Sequence, residues 1–193
     1  MKRMRKLLSL FLVATLWCTC IFVPVNADEQ DEATIQYKIK IAFLYNFLKF
    51  VDWPGDNAPK KTNSATICII GDRQFSNYFR ELQSSHKQDL AITINDTVTA
   101  KDIPSCNILY IGHDEEDNAA TLLSYAKGHP VLSISEARDF ADNGGIIEMV
   151  RVGKSVGLFS KDKLNLRINL KTAEADNLNI DARLLQIASG VIK

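Results

Sequence analysis

The stretch ATICIIGD, residues 65–72, decides the fold. It is short and rich in β-branched side chains, and Gly71 closes it, which predicts a buried strand. Working outward, FSNYFRELQSS (75–85) fits a short helix and LAITIND (90–96) a second strand. A turn over Asp102–Ser105 leads into CNILYIG (106–112), another buried strand. EEDNAATLLSYAKG (115–128) predicts a helix, with acids in its first turn and Gly128 just past its end, as the helix dipole and capping preferences favour. PVLSIS (130–135) is a further strand. Helices alternating with short apolar strands predict an α/β class: a largely parallel, Rossmann-like sheet flanked by helices.

The end of the chain changes character. FADNGGIIEMVRVGKSVGLFS (140–160) predicts two strands joined by a turn at Gly153–Lys154, a C-terminal antiparallel hairpin. KLNLRINL (163–170) alternates as a half-buried strand does, and KTAEADNL (171–178) and DARLLQIASGVIK (181–193) read as helical. Upstream, QYKIKIAFLYNFLKFVDWP (36–54) predicts a helix ended by Pro54 and Gly55. At about 100° per residue, Lys38, Asn46, Lys49 and Asp52 share one arc. Ile39, Ile41, Phe43, Leu44, Phe47, Leu48, Phe50 and Val51 cover the wider remainder. Its longest uncharged run, Ile41 to Leu48, is far short of the roughly 20 residues that span a bilayer. NAPKKTNS (57–64) reads as a polar linker.

The first 27 residues read as a cleaved secretory signal. MKRMRK supplies a basic start, an apolar core follows from Leu7 to about Val23, and Val25-Asn26-Ala27 puts small or modest side chains where a signal peptidase needs them. Residues 28–193 are then expected to form a single exported domain. Without the leader the chain carries 19 Lys and Arg against 23 Asp and Glu. That mild negative charge and the lack of a basic block argue against a nucleic-acid partner. Two cysteines remain, Cys68 and Cys106. In an exported chain they form one bridge or stay as two buried thiols, and the bridge is the expectation. Closing that loop would stabilise the fold by about 4 kcal/mol in the chain-entropy picture.

No catalytic constellation stands out, and no metal site or cofactor is expected. IIGDRQF has one glycine where a dinucleotide fingerprint needs three. His86, His113 and His129 are scattered, and Ser133 and Ser135 lie outside any nucleophile elbow. The candidate ligand- or partner-binding residues are Asn143, Gly144 and Gly145, which can form a tight turn presenting N–H groups. Arg167 and Asn169, which share a strand face, join them. If a cleft faces Arg167, its guanidinium suits a carboxylate or phosphate.

Three blocks carry a resemblance: YKIKIAFLYNFLKFVDWP (37–54), FADNGGIIEMV (140–150) and LRINLKTAEADNLNIDARLLQIA (166–188). Together they resemble the YfiR/HmsC family of periplasmic regulators. The resemblance implies an exported protein without catalytic activity. It implies a repressor that binds the periplasmic domain of an inner-membrane diguanylate cyclase, lowering cyclic di-GMP and biofilm formation. An outer-membrane lipoprotein as second partner, a homodimer and a disulfide at Cys68 and Cys106 are also implied. Two departures stand out. The later hairpin lacks the second cysteine pair of some members, and Asn177 and Asp181 replace the usual Gly and Ser-rich helix start. A periplasmic small-ligand-binding module is the alternative, and it predicts a deep cleft near Arg167 and Asn143.

Overall fold

The computed structural model describes residues 27–55, 58–85, 89–152, 155–156, 159–160 and 163–193. The body of the expected leader, His86 and the expected turn at Gly153–Lys154 lie outside them. Residues 37–193 form one compact unit. In chain order the elements are α1 (Ala27–Phe50), β1 (Val51–Asp52), α2 (Pro59–Thr62), β2 (Ser64–Ile70), α3 (Arg73–Ser85), β3 (Ala91–Asn95) and β4 (Ile108–Ile111). Then come α4 (Ala119–Ala126), β5 (Leu132–Ser135), β6 (Ile147–Val152), β7 (Ser155–Val156), β8 (Phe159–Ser160) and β9 (Lys163–Asn169). The chain closes with α5 (Leu170–Ala175), β10 (Asn179–Ile180), α6 (Ala182–Ile187) and β11 (Gly190–Ile192). Short 3-10 turns precede β4 and α4.

Seven strands form the main sheet in the order β11-β9-β6-β5-β4-β2-β3. Pairing is parallel from β3 through β6, antiparallel between β6 and β9, and parallel again between β9 and β11. The α/β class read from the sequence is the class observed. All four residues of β4 and of β5 are buried. Such strands belong in the middle of a sheet covered on both faces.

Each face has its own apolar layer. Ile67, Ile69, Ile108, Tyr110 and Ile134 point to one side, where α1 brings Ile41, Leu44 and Phe47 and α3 brings Phe75 and Phe79. Cys68, Leu109 and Ile111 point to the other, with Val131, Phe140 and the α4 residues Ala119 and Ala126. Cys68 and Cys106 are bridged across that second face, with Cα atoms 5.9 Å apart. Cys106 does not open a strand, as expected, but ends the 3-10 turn just before β4. The register sets Cys68 opposite Leu109, so the bridge joins β2 to the turn beneath β4.

Four further expectations are corrected. The first helix stops at Phe50, because Val51 and Asp52 pair with Ile180 and Asn179 before the proline is reached. The polar stretch 57–64 contains a helical turn, α2, with Pro59 at its start, where the missing N–H costs nothing. Among the described residues, β6 does not pair with β7 or β8. It pairs with β9 along its whole length, setting Ile147 opposite Ile168 and Met149 opposite Leu166, all four buried. That register gathers two apolar faces at once, whereas β7 and β8 pair with each other. Finally, residues 190–192 are not helical: they leave α6 and add β11 beside Arg167–Asn169.

Candidate functional site

The candidate residues near the end of the chain come together. In the connection between β5 and β6, Phe140 N–H donates to Ala137 O, Asn143 N–H to Asp139 O and Gly145 N–H to Phe140 O. Gly144 has φ +96°, a conformation glycine adopts freely. Gly145 is required for a different reason: a Cβ there would lie 2.2 Å from the Phe140 ring. The connection is tied to β9 by polar side chains. Arg167 donates to Asp142 at 2.7 Å and to Glu148 at 3.0 Å. Asn169 donates to Ala141 O and accepts from Thr172 N–H, capping α5. Glu148, with its side chain only 7% exposed, also accepts from Ala141 N–H. Ser133 Oγ accepts from Ile146 N–H. The Arg167 guanidinium thus holds two carboxylates of its own chain. Asp142 and Asn143 are left exposed at the surface of this assembly.

A second polar cluster, absent from the sequence reading, is centred on Glu136 at the carboxyl end of β5. Lys40 of α1 pairs with Glu136 Oε1 and donates to the Tyr110 hydroxyl at 3.1 Å. That hydroxyl donates to Glu136 Oε1 at 3.0 Å. Arg151 of β6 donates to Glu136 Oε2 at 2.7 Å. Lys40 is buried, and its ammonium lies 5.4 Å from the Tyr37 ring centroid and 5.7 Å from those of Phe75 and Tyr110. Desolvating an ammonium costs several kcal/mol. The carboxylate and the three ring faces offset that cost. Burial opposes ionisation of Glu136, but Lys40 and Arg151 outweigh it and hold the carboxyl below its ordinary value. The Tyr110 hydroxyl is pushed well up, by burial first and then by Glu136. One carboxylate thereby joins α1, β4, β5 and β6.

A signal for this cluster was present. At about 100° per residue, Lys40 falls in the middle of the arc that holds Leu44, Phe47 and Leu48, all buried. A lysine at the centre of an apolar arc requires an internal counter-charge.

A cleft of about 230 Å³ lies where β3, β2 and β4 end, bordered by Gly71, Asp72, Arg73, Asp96, Asp114 and Glu115. In sheets of this class ligands enter beside the strand ends where the connection direction reverses. Gly71, at φ +77°, is needed because a Cβ would meet Glu115 at 2.8 Å. Asp72 caps α3 by accepting from Phe75 N–H at 2.9 Å. Burial pushes its carboxyl up, and the Phe75 N–H and Lys40 counter this only in part. Arg80 holds Asp96 through two contacts, 2.6 and 2.8 Å. The border is rich in carboxylates, which repel phosphate, so a nucleotide is a poor fit. This cleft is not the one expected beside Arg167 and Asn143. Among the described residues, no group of three or more His, Cys, Asp or Glu is arranged to hold a metal ion. No described helix is long and apolar enough to cross a membrane.

The parallel sheet, its bridge and the interlocked connection define a mixed α/β scaffold in which the described polar groups largely bind one another. The family described as YfiR/HmsC-like matches residues 37–189, and the chain belongs to it. No curated protein matches the chain. Among solved structures it is similar to a conserved domain protein from Vibrio cholerae O1 biovar El Tor. Identity there is 15% and the TM-score 0.48, with 66% of this chain and 54% of that one covered. It is also similar to the ABC domain in complex with L-Trp from Streptococcus pneumoniae. In that case identity is 15% and the TM-score 0.44, over 66% and 55% of the two chains. The chain spans about half the length of these solved structures.

Proposed function

We propose that the chain is an exported, non-enzymatic regulator that binds the periplasmic domain of an inner-membrane diguanylate cyclase and holds it inactive. Cyclic di-GMP and biofilm formation fall as a result. The observation that carries this reading is the family match across residues 37–189. Arg167 with Glu148, and Lys40 with Glu136, are engaged with one another and serve the scaffold in this reading. In this reading Asn143 and Gly144, with Asp142 beside them, supply part of the contact surface. Gly145, Arg167 and Asn169 hold that surface in shape. Repression is a population shift: the regulator prefers the inactive arrangement of the sensor, and its withdrawal, by an outer-membrane lipoprotein, releases that arrangement. A homodimer is the proposed working form.

The test is capture of the periplasmic domain of a candidate cyclase by the purified chain, read by calorimetry together with cyclic di-GMP levels in cells. Binding accompanied by a fall in cyclic di-GMP is the expected result; a chain that is exported and folded yet leaves both unchanged overturns the proposal.

The cleft at Asp72 favours a second reading, a small-ligand-binding module. Its acidic border calls for a cationic metabolite, which would raise Tm as its concentration exceeds Kd. Stabilisation lost in Asp72→Asn would support that reading.

A further inference from the structure

We propose that Asn143–Gly144 is a site of spontaneous deamidation, through which this connection gains a carboxylate and, in one product, an extra backbone methylene as the protein ages. The dipeptide is the only Asn-Gly in the chain. Asn143 is exposed, and among the described residues none bonds its side-chain amide. The attacking atom is the Gly144 nitrogen. Its hydrogen bond, to Ala141 O, is 3.4 Å long, against 2.9 Å for those of Asn143 and Gly145 on either side. Ordinary N–H···O bonds fall between about 2.7 and 3.2 Å, so Gly144 N–H is the least committed of the three. Beyond its two chain neighbours, nothing lies within 4 Å of the position a Gly144 Cβ would take, so no other part of the chain packs against this residue there.

The chemistry needs only water and solvent base. Base removes the Gly144 amide proton, and the nitrogen attacks Asn143 Cγ. The bond from Cγ to the side-chain nitrogen breaks and ammonia leaves with the proton. The resulting five-membered imide is opened by water at either carbonyl. One opening gives aspartate; the other gives isoaspartate, with the main chain rerouted through the side-chain carbon. Neither product is neutral for this assembly. Each places a new carboxylate beside Asp142, which Arg167 already shares with Glu148. The isoaspartate also lengthens the backbone two residues before Gly145, where even a methyl group would strike the buried Phe140 ring. The turn must then loosen, and the Gly145 N–H bond to Phe140 O is the first contact at risk.

The test is a time course on the folded, full-length chain in mildly alkaline buffer, followed by trypsin and mass spectrometry. Cleavage after Arg138 and Arg151 isolates residues 139–151, in which Asn143 is the only amide side chain. The expected result is progressive conversion of that peptide into two acidic species of equal mass, aspartate and isoaspartate, ahead of every other Asn in the chain. Hydrogen exchange at Gly145 should quicken in the isoaspartate fraction. Asn143→Ser should abolish both species. The proposal is overturned if the peptide from the folded chain keeps its amide over a period in which the same synthetic peptide has largely converted, or if another Asn converts first.

Discussion

The two halves of the sheet are built by different means. From β3 to β5 the strands are parallel, their side chains are overwhelmingly apolar, and one covalent bridge joins β2 to the turn beneath β4. From β6 to β11 buried apolar pairs such as Ile147 with Ile168 are supplemented by charge and amide ties: Glu136 with Arg151, Arg167 with Asp142 and Glu148, Asn169 with Ala141. The first half depends on burial, which is non-directional and tolerant. The second adds polar ties that depend on geometry, and an unpaired buried polar group there carries a full desolvation penalty. The same chain therefore offers a robust scaffold beside a region sensitive to small changes.

Reducing the bridge is the hardest blow to the first half. Replacing Cys68 and Cys106 by alanine should cost about 4 kcal/mol in the chain-entropy picture, read as a lower denaturant midpoint. An unchanged midpoint would mean the apolar layers alone fix β2 against β4. The matching blow to the second half is Glu136→Ala, which strands Lys40 without its carboxylate. Breaking a buried pair costs about 3–5 kcal/mol. The lower end is expected here, because Lys40 keeps the Tyr110 hydroxyl and three ring faces. Asn169→Ala removes a helix cap and the tie to Ala141 O together, for about 1–2 kcal/mol. Its hydrogen exchange should rise in α5 and the 140–145 connection and stay unchanged in β2.

Acid separates the halves further. The folded value of Glu136 lies below its unfolded one, about 4.3. Its contribution is therefore complete above that value and lost as pH falls through the folded value. Asp72 has the opposite sign: burial raises it, so the stability linked to its protonation is present in acid and lost as pH rises through its folded value. Asp72→Asn keeps a competent cap and should leave neutral stability unchanged or slightly higher, while flattening the Asp72 part of the pH profile. The smallest effect is expected at Ile187, 65% exposed on α6. Ile187→Ser should fall within about 0.5 kcal/mol.

Legibility in the sequence followed the same division. Runs such as ATICIIGD and CNILYIG declare buried strands by themselves, and the parallel strands were readable to within about two residues, whereas the helix expected over 115–128 begins only at Ala119, its acids lying in the preceding 3-10 turn. The pairing of β6 was not, because the sequence places the residues of 155–160 closer than those of β9. Only the match of Ile147 with Ile168 and Met149 with Leu166 decides between them, and that requires the sheet. The last residues failed for a similar reason: ASGVIK carries no strand signature strong enough to outweigh the preceding helix, yet the edge of β9 recruits it. Asn143, Gly145, Arg167 and Asn169 were all found as candidates. Their geometry adds that Arg167 and Asn169 grip their own chain. Lys40 was missed although its place on the apolar arc was readable, because its counter-charge lies 96 residues away and only the fold joins them.

Repression by contact with a sensor, rather than by chemistry, is the central proposal. The most direct measurement is cyclic di-GMP in cells producing a candidate inner-membrane cyclase, with the exported chain either present or absent, its oxidised and folded state verified in the same cells. A clear fall is expected when the chain is present, reversed by removing the chain and not by blocking any enzymatic turnover. Equal cyclic di-GMP in the two conditions, with the chain folded in the periplasm and unbound to the cyclase, would contradict it.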